Sequence, residues 1–564
     1  MIETTAPIDE NPRTSTAARI GWAVLIAATL YVCYFSHLGA IGFVGPDEPR
    51  YAWIARDMAE TGDWVTPRLY EKPWFEKPPL FYWSAAFCFK LFGASEAAAR
   101  LPSAISALFA TLAMAWLAMR LYGAETARWL LLLLPTTVGM IGFSHAAATD
   151  MPFSAMLTIA MVCAAVVLGL TRNENTPILP RTPWLALIMF GFFLGLAVLA
   201  KGPAGIILSG GAIFFWALFT KRRREAFRLF HPAAIAAFCV SALPWYILCA
   251  RRNPDFFRIF IIEHNFKRYL TPEFQHTQPF WFYAPVLLLA FLPWTGIMLW
   301  TVIAGGMRIA SSRKVSPHTA FLFSWCLFAV LFFTISKSKL PGYVLPAVPA
   351  LALLLACSFG NLASEHSKSF GASIAAFALV CVIVSVIVPG SFPHAPLLSQ
   401  QVKLALSFLI GMIAMANTIL AAFLLLDSRP KLNSVAMACV VPVFFVVVIA
   451  GESAARFVPL SSRDLAAQLV AQHVSPEHTF VYNGMGRGQR YGLNFYLRRE
   501  LPDWDHNPNA DAFVVSGSVN CERLQKQGFI CADVPLGPSA SGWFVSHIKQ
   551  KNLPGVLADG RQLH

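Results

Sequence analysis

Residues 44–83 read VGPDEPRYAWIARDMAETGDWVTPRLYEKPWFEKPPLFYW, and the fold turns on what this stretch is. It lies between hydrophobic segments long enough to cross a bilayer, yet Asp47, Glu48, Arg50, Arg56, Asp57, Glu60, Asp63, Arg68, Glu71, Lys72, Glu76 and Lys77 crowd into it. Aromatic residues, from Tyr51 and Trp53 to Tyr82 and Trp83, are interleaved with the charges. Such a mixture suits a surface at a membrane interface, where amphipathic rings sit among headgroups and charges face water.

Working outward, the whole chain has the same character. Of its 564 residues 56% are hydrophobic and 13% charged, more apolar surface than a soluble protein of this length can hide. Apolar runs of about 20 residues recur, each long enough to span a bilayer core as a helix. The net charge of +14 fits membrane topology and an anionic substrate better than nucleic acid, because the only dense basic run is Lys221-Arg222-Arg223-Arg224. A first apolar run at about residues 20–40 follows Arg13 and Arg19. It exceeds the ~7–15 residues of a signal-peptide core, which favours an uncleaved signal anchor over a cleaved leader. Twelve further candidate spans follow, at 97–119, 126–143, 150–170, 184–200, 203–219, 232–250, 280–303, 318–335, 342–357, 370–389, 403–426 and 434–451, about thirteen in all. The run at 79–92 could add one.

With the N-terminus cytoplasmic, the even-to-odd loops carry Arg120/Arg128, Arg172/Arg181, Lys221–Arg224 with Arg228, Arg308/Arg313/Lys314, Lys368 and Arg429/Lys431, as cytoplasmic loops do. The opposite loops at 144–149 and 390–402 carry no Lys or Arg. Three outer places break the rule: the first loop, residues 251–268, and Lys337/Lys339. Basic residues on the wrong side, beside acidic ones, point to an outer site for an anionic ligand. Residues 453–564 turn polar, with short apolar runs at 479–483, 512–516, 529–532 and 542–547 and helical spacing at 464–473. This reads as a small outer α/β domain following a transmembrane domain at 1–452, whose first outer loop spans about 41–96.

Each motif has a plain structural reading beside the functional one. Asp47-Glu48-Pro49-Arg50 is a helix start, with an interfacial helix running to Met58. A carboxylate just outside the membrane with an Arg three residues on can also order an acceptor. In Glu76-Lys77-Pro78-Pro79 the prolines fix the backbone and present Lys77, a compact charge able to hold phosphate or a lysine that merely snorkels. Asp150, at the outer start of a span, is an N-cap or a second catalytic carboxylate. Lys201-Gly202-Pro203 reads as a tight outer turn. Glu263-His264-Asn265 lies in a long outer loop where His264 could ligate a metal or be ordinary surface. Ser336 to Tyr343, SKSKLPGY, places Lys337, Lys339 and Tyr343 where a phosphate could be held.

DEPRYA, the following GDW, EKPPLFYW, TDMP, the KGP turn and SKSKLPGYVLP together resemble the bacterial aminoarabinose transferases that modify lipid A. These are members of the GT-C superfamily, with protein O-mannosyltransferases and oligosaccharyltransferases as relatives. The resemblance covers about Gly42 to Pro346, its motifs specific as a set and weak singly. It implies an α-helical polytopic protein of the bacterial inner membrane with a GT-C fold, a monomer working at the periplasmic face among membrane lipids, with no nucleic-acid partner. The donor would be 4-amino-4-deoxy-L-arabinose on undecaprenyl phosphate and the acceptor a lipid A phosphate. Transfer would be inverting, would use no nucleotide cofactor, and would lower the negative charge of lipopolysaccharide, as in polymyxin and cationic-peptide resistance. Asp47 matches the family's essential first-loop acid and Asp150 a second acidic position. Arg50, Lys77, Lys337, Lys339 and Tyr343 would hold phosphates, Lys77 foremost. Glu76 and His264 would be ligands if a divalent metal ion takes part. Another polyprenyl-phosphate sugar transferase, with a protein hydroxyl as acceptor, is the nearest alternative. A lipid transporter is the alternative from another class, and ionisable residues gathered at one face rather than at the midplane count against it.

Nine of the eleven cysteines lie in or beside apolar runs. Cys521 and Cys531 are separated by a short helix, a Gly528 turn and a strand, which can bring their Cα atoms within disulfide range. An outer domain would keep such a bond oxidised.

Overall fold

The computed structural model describes residues 16–171, 183–267, 277–311, 315–365 and, with short gaps, 461–551; between 366 and 460 it describes only scattered helical positions. Chain order begins with α1 (Thr16–Tyr34), α2 (Asp47–Thr61), a hairpin of β1 (Arg68–Leu69) and β2 (Lys72–Pro73), α3 (Leu80–Phe92), α4 (Glu96–Tyr122), α5 (Ala124–Leu133), α6 (Val138–Ser144) and α7 (Asp150–Val167). It continues through α8 (Trp184–Lys201), α9 (Ala204–Thr220), α10 (Arg223–Phe227), α11 (Pro232–Arg252) and α12, a π-type helix at Arg258–Lys267. Then come α13 (Tyr283–Ala290), α14 (Thr295–Ser311), α15 (Pro317–Ile335), a 3-10 turn (Pro341–Ala347) and α16 (Val348–Glu365).

Among the described residues six helices are long and apolar enough to cross a membrane: 96–122, 150–167, 184–201, 232–252, 317–335 and 341–358. The pair α5–α6, bent by 62°, passes the same test as one broken span. The protein is thus a multi-span membrane protein, and seven of the expected spans are accounted for. Three differ from expectation. The first run ends at Tyr34, α9 is only 17 residues long, and the 280–303 run is split between α13 and α14. The spans expected at 370–389, 403–426 and 434–451 lie outside the described residues, scattered positions aside. The run at 79–92 forms α3, at 13 residues too short to cross; it buries Phe81, Tyr82, Ala85 and Phe89 against α2 and α4 and exposes Phe87, Leu91 and Phe92.

The main core lies among α4, α5, α7, α8, α9, α15 and α16. A second core sits under the first loop. There Tyr51, Ile54, Ala55 and Met58 of α2 meet Phe81, Tyr82 and Phe89 of α3, with Ala98, Ala147 and Phe495. α2 starts at Asp47 and Glu48, whose charges complement the helix N-terminus, and stops where Gly62 turns left-handed at φ 75° and donates its N–H to Met58 O. The expected end at Met58 therefore moves to Thr61.

The C-terminal unit holds α17 (Arg463–Ala471), β3 (Thr479–Val481), α18 (Arg487–Leu497), β4 (Ala512–Ser516), α19 (Cys521–Gln525), β5 (Phe529–Asp533) and β6 (Phe544–Lys551). Its sheet runs β3-β4-β6-β5, with β3 and β4 parallel and the other pairs antiparallel. Helices and strands alternate along this unit, and Cys521 and Cys531 are disulfide-bonded with Cα atoms 5.8 Å apart. α18 is an element that the sequence reading lacked. It packs on α2, where Arg56 Nη1 donates to Phe495 O at 2.9 Å, while Phe43 N donates to Tyr496 Oη at 2.9 Å. The unit sits on the first loop.

Candidate active site at one end of the helical bundle

The described parts of the loops at 35–46, 62–79, 145–149, 202–203, 253–267, 277–282 and 336–342 come together at one end of the bundle. Trp245 Nε1 donates to Val65 O, Asn253 Nδ2 to Thr66 Oγ1, and Lys339 Nζ to Gln278 O. These are the loops expected on the outer side. Arg120, near the C-terminus of α4, and Lys221–Arg224, at the junction of α9 and α10, lie at the opposite ends of their helices.

Two adjacent carboxylates of α2 have opposite fates. Glu48 points inward and is buried. Arg100 of α4 grips it through Nε at 2.9 Å and Nη2 at 2.8 Å, and the N–H groups of Val44 and Ala147 donate to it at 2.8 and 2.7 Å. Arg100 also donates to the carbonyls of Leu38, Ile41 and Gly42. Every strong valence is satisfied, as a buried pair requires. The contact to Ala147 ties the first loop to the approach to Asp150.

Asp47 faces the other way, its side chain 51% exposed, and accepts from Arg50 Nη2 at 2.5 Å. Arg50 is 8% exposed at its side chain and also pairs with Glu76 at 3.0 Å. Glu76 in turn lies 3.8 Å from Lys77 Nζ. Burial works against the Arg50 charge, but Tyr51, Glu76 and Asp47 outweigh it and hold the guanidinium above its ordinary range. Rings of Tyr51, Trp74 and Tyr491 lie 5.2, 5.3 and 5.8 Å from its centre, a cation–π box closed by the C-terminal unit. Its buried Nε–H meets no acceptor among the described residues, nor does the buried hydroxyl of Tyr82 nearby. Burial and the charges of Glu76 and Asp47 hold that phenol far above its usual range, so it is a neutral donor.

Asp150 opens α7 without a capping bond; its partner is Lys201 at the C-terminus of α8, 2.5 Å away. Lys201, read as part of a turn, is thus a site residue that the sequence reading missed. Its only signal was a lysine that interrupts a 36-residue apolar run at 184–219. Tyr343 and Phe153 present their rings to Lys201 Nζ at 4.7 and 5.6 Å. A Cβ at Gly342 would lie 2.6 Å from Asp150 Oδ1, so glycine lets the 341–347 turn close over that carboxylate. The structure therefore brings Asp47, Arg50, Glu76 and Lys77 into one cluster and Asp150 and Tyr343 into a second, around Lys201.

Lys337 is exposed, whereas Lys339 is buried and donates to Ser336 O at 2.7 Å and Gln278 O at 3.2 Å. Burial and the neighbouring Lys337 charge pull Lys339 below the usual lysine value. It braces its own loop more directly than it offers charge to a ligand. Glu76 is engaged by two cations, and among the described residues no group of three or more His, Cys, Asp or Glu side chains gathers around it or around His264 of α12. Such a donor set does not fit a divalent cation.

Residues 20–260 match the family model described as dolichyl-phosphate-mannose-protein mannosyltransferase. The undecaprenyl phosphate-alpha-4-amino-4-deoxy-L-arabinose arabinosyl transferase of Aeromonas salmonicida is 32% identical over 379 residues, 66% of this chain and 67% of the relative. Its counterpart from Serratia proteamaculans is 30% identical over 429 residues, 75% of each chain. Among solved structures, ArnT from Cupriavidus metallidurans bound to undecaprenyl phosphate superposes with a TM-score of 0.76 at 25% identity, covering 94% of this chain and 98% of that one. The same enzyme in the apo state gives 0.75. On this sequence likeness the chain belongs to the family of undecaprenyl phosphate-aminoarabinose arabinosyl transferases.

Proposed function

We propose that this protein is a glycosyltransferase of the inner membrane that moves 4-amino-4-deoxy-L-arabinose from undecaprenyl phosphate to a phosphate group of lipid A. The observation that carries the reading is the first-loop cluster. Arg50 and Lys77 flank Glu76 at the mouth of the bundle, and a half-exposed Asp47 pairs with Arg50 from the other side. That arrangement can take up the donor phosphate, and a structural relative is named for its complex with undecaprenyl phosphate. The clustered arginines at the other end support a cytoplasmic placement there and a periplasmic site here.

In the transfer an oxygen of the acceptor phosphate bonds to the anomeric carbon while the carbon–oxygen bond to undecaprenyl phosphate breaks. The electron pair leaves on the donor phosphate, and attack from the opposite face inverts the anomeric centre. Lys77 and Arg50 stabilise the charge that grows on the leaving phosphate. The acceptor phosphate is already ionised near neutral pH and needs no strong base. Asp47, held by Arg50, orients the incoming partner, and Asp150 with Lys201 shapes the second wall of the site. The test is mass spectrometry of lipid A from cells with and without the protein. Aminoarabinose-modified phosphates should appear only with it, and their absence would sink the reading. The mannosyltransferase family model gives a second reading weight, a protein hydroxyl as acceptor with Asp47 as general base. Glycosylated proteins in place of modified lipid A would favour it.

A further inference from the structure

The two-residue turn of the β1–β2 hairpin is built from residues ill suited to it. Register pairs Leu69 with Lys72 and Arg68 with Pro73, leaving Tyr70 and Glu71 as the loop. Both have positive φ, 52° and 64°. A turn of this kind prefers Asn-Gly, because a side chain at positive φ carries a steric cost that only surrounding structure can sustain. The hairpin runs straight into Trp74, Glu76 and Lys77.

What sustains it comes from the other end of the chain. Asn494 of α18, fully buried, donates from Nδ2 to Tyr70 Oη at 2.8 Å and accepts from Leu501 N at 3.1 Å. The Tyr491 ring lies 6.4 Å from the Tyr70 ring and 5.8 Å from the Arg50 guanidinium, so one residue of α18 touches both the hairpin tip and the site. Trp53 of α2 meets the Tyr70 ring edge-on at 4.7 Å from the opposite element. The seat of α18 is tight. A Cβ at Gly488 would lie 2.8 Å from the carbonyl carbon of Gly45, two residues before Asp47.

We propose that α18 is a clamp: the C-terminal unit holds the strained Tyr70–Glu71 turn through Asn494 and Tyr491, and by doing so sets the position of Trp74–Lys77 for the donor phosphate. Tyr491 and Asn494 are positioning residues, seated by Gly488. The role in donor binding rests on the proposed function; the clamping of the hairpin does not.

Two measurements on the full-length protein in detergent test it. Hydrogen exchange reads the backbone of residues 68–77, and titration with undecaprenyl phosphate reads the phosphate site. Gly488→Ala, which pushes α18 off Gly45, and Tyr491→Leu should each speed exchange at 68–77 and weaken undecaprenyl phosphate binding on the order of tenfold, the size of one lost positioning contact. Glu71→Gly should do neither alone. In the Gly488→Ala background it should restore slow exchange and binding, because glycine adopts positive φ without the clamp. A merely structural role for α18 predicts no such rescue. Unchanged exchange in Gly488→Ala, or failure of Glu71→Gly to restore it, overturns the proposal. If the wild-type chain does not bind undecaprenyl phosphate, the functional reading falls, while the exchange measurement still decides the clamp.

Discussion

Two charged knots lie one residue apart on α2, and they are built on opposite plans. The Glu48–Arg100 knot is closed: it is buried, its carboxylate accepts four N–H donors, and its guanidinium also caps three backbone carbonyls. The Asp47–Arg50–Glu76–Lys77 knot is open, with one carboxylate half exposed and a buried guanidinium N–H without an acceptor among the described residues. A closed knot holds parts of a fold together and can do nothing else. An open one holds its charges ready for a ligand and contributes less to stability. The same residue types thus divide into frame and site according to whether their valences are filled.

The sharpest way to break this comparison is to open the closed knot. Glu48→Ala leaves Arg100 buried without its carboxylate and should cost about 3–5 kcal/mol of stability. Thermal unfolding in detergent should show a large drop, with little folded protein recovered. A stable Glu48→Ala protein would mean that the knot is not the frame argued for.

The complementary experiment touches the open knot. Asp47→Asn removes charge without volume at a half-exposed position, so stability should change by less than ~1 kcal/mol. Transfer should nonetheless fall by about 10²-fold or more, as when an orienting group is lost. Modified lipid A at wild-type levels in cells carrying this variant would refute the role given to Asp47. A milder loss is expected for Lys77→Ala. It deletes a hydrogen bond to a charged phosphate, worth about 1.5–3 kcal/mol, and should act on donor KM with acceptor KM unchanged. Unchanged donor kinetics would make Lys77 an ordinary interfacial lysine.

The sequence carried one side of this division and hid the other. Arg50 and Lys77 were legible because they break the positive-inside rule, and Asp47 because it is one of the acids beside them. Glu48 was not separable from Asp47, since adjacent helical residues differ by about 100° in direction and the inward face is set by Arg100, 52 positions away. Lys201 was hidden for the same reason, its meaning supplied by Asp150 in another helix. Span positions were legible from apolar length, and the Cys521–Cys531 bond from its short local spacing. Helix α18 escaped because Gly488 and Gly492 lower helix propensity. Both glycines prove to be contact points: a Cβ at Gly488 would press on Gly45, and one at Gly492 on Ser462 Oγ at 3.2 Å.

Asp63, in the GDW motif, lies between the two plans and offers the smallest and most graded test. Its carboxylate accepts from the N–H groups of Val65 and Thr66 at 3.0 and 3.2 Å and pairs with Arg68 at 3.4 Å and Arg252 of α11 at 3.1 Å. Partial burial works against its charge, but these donors prevail and hold it below the usual Asp value. A depressed folded-state value means that the unfolded chain binds the proton first as pH falls. The contribution of Asp63 is therefore fully present above the ordinary Asp value of about 3.9 and is lost as pH drops through the lower folded-state value. Because the group is partly exposed and screened, the effect should be under ~1 kcal/mol. Comparing thermal midpoints of wild type and Asp63→Asn across an acid series isolates it. The variant should be the less stable of the two at pH 7, and the gap should close in acid. A gap that stays constant with pH would show that packing and not charge ties the first loop to α11, and Asp63 would then belong with neither knot.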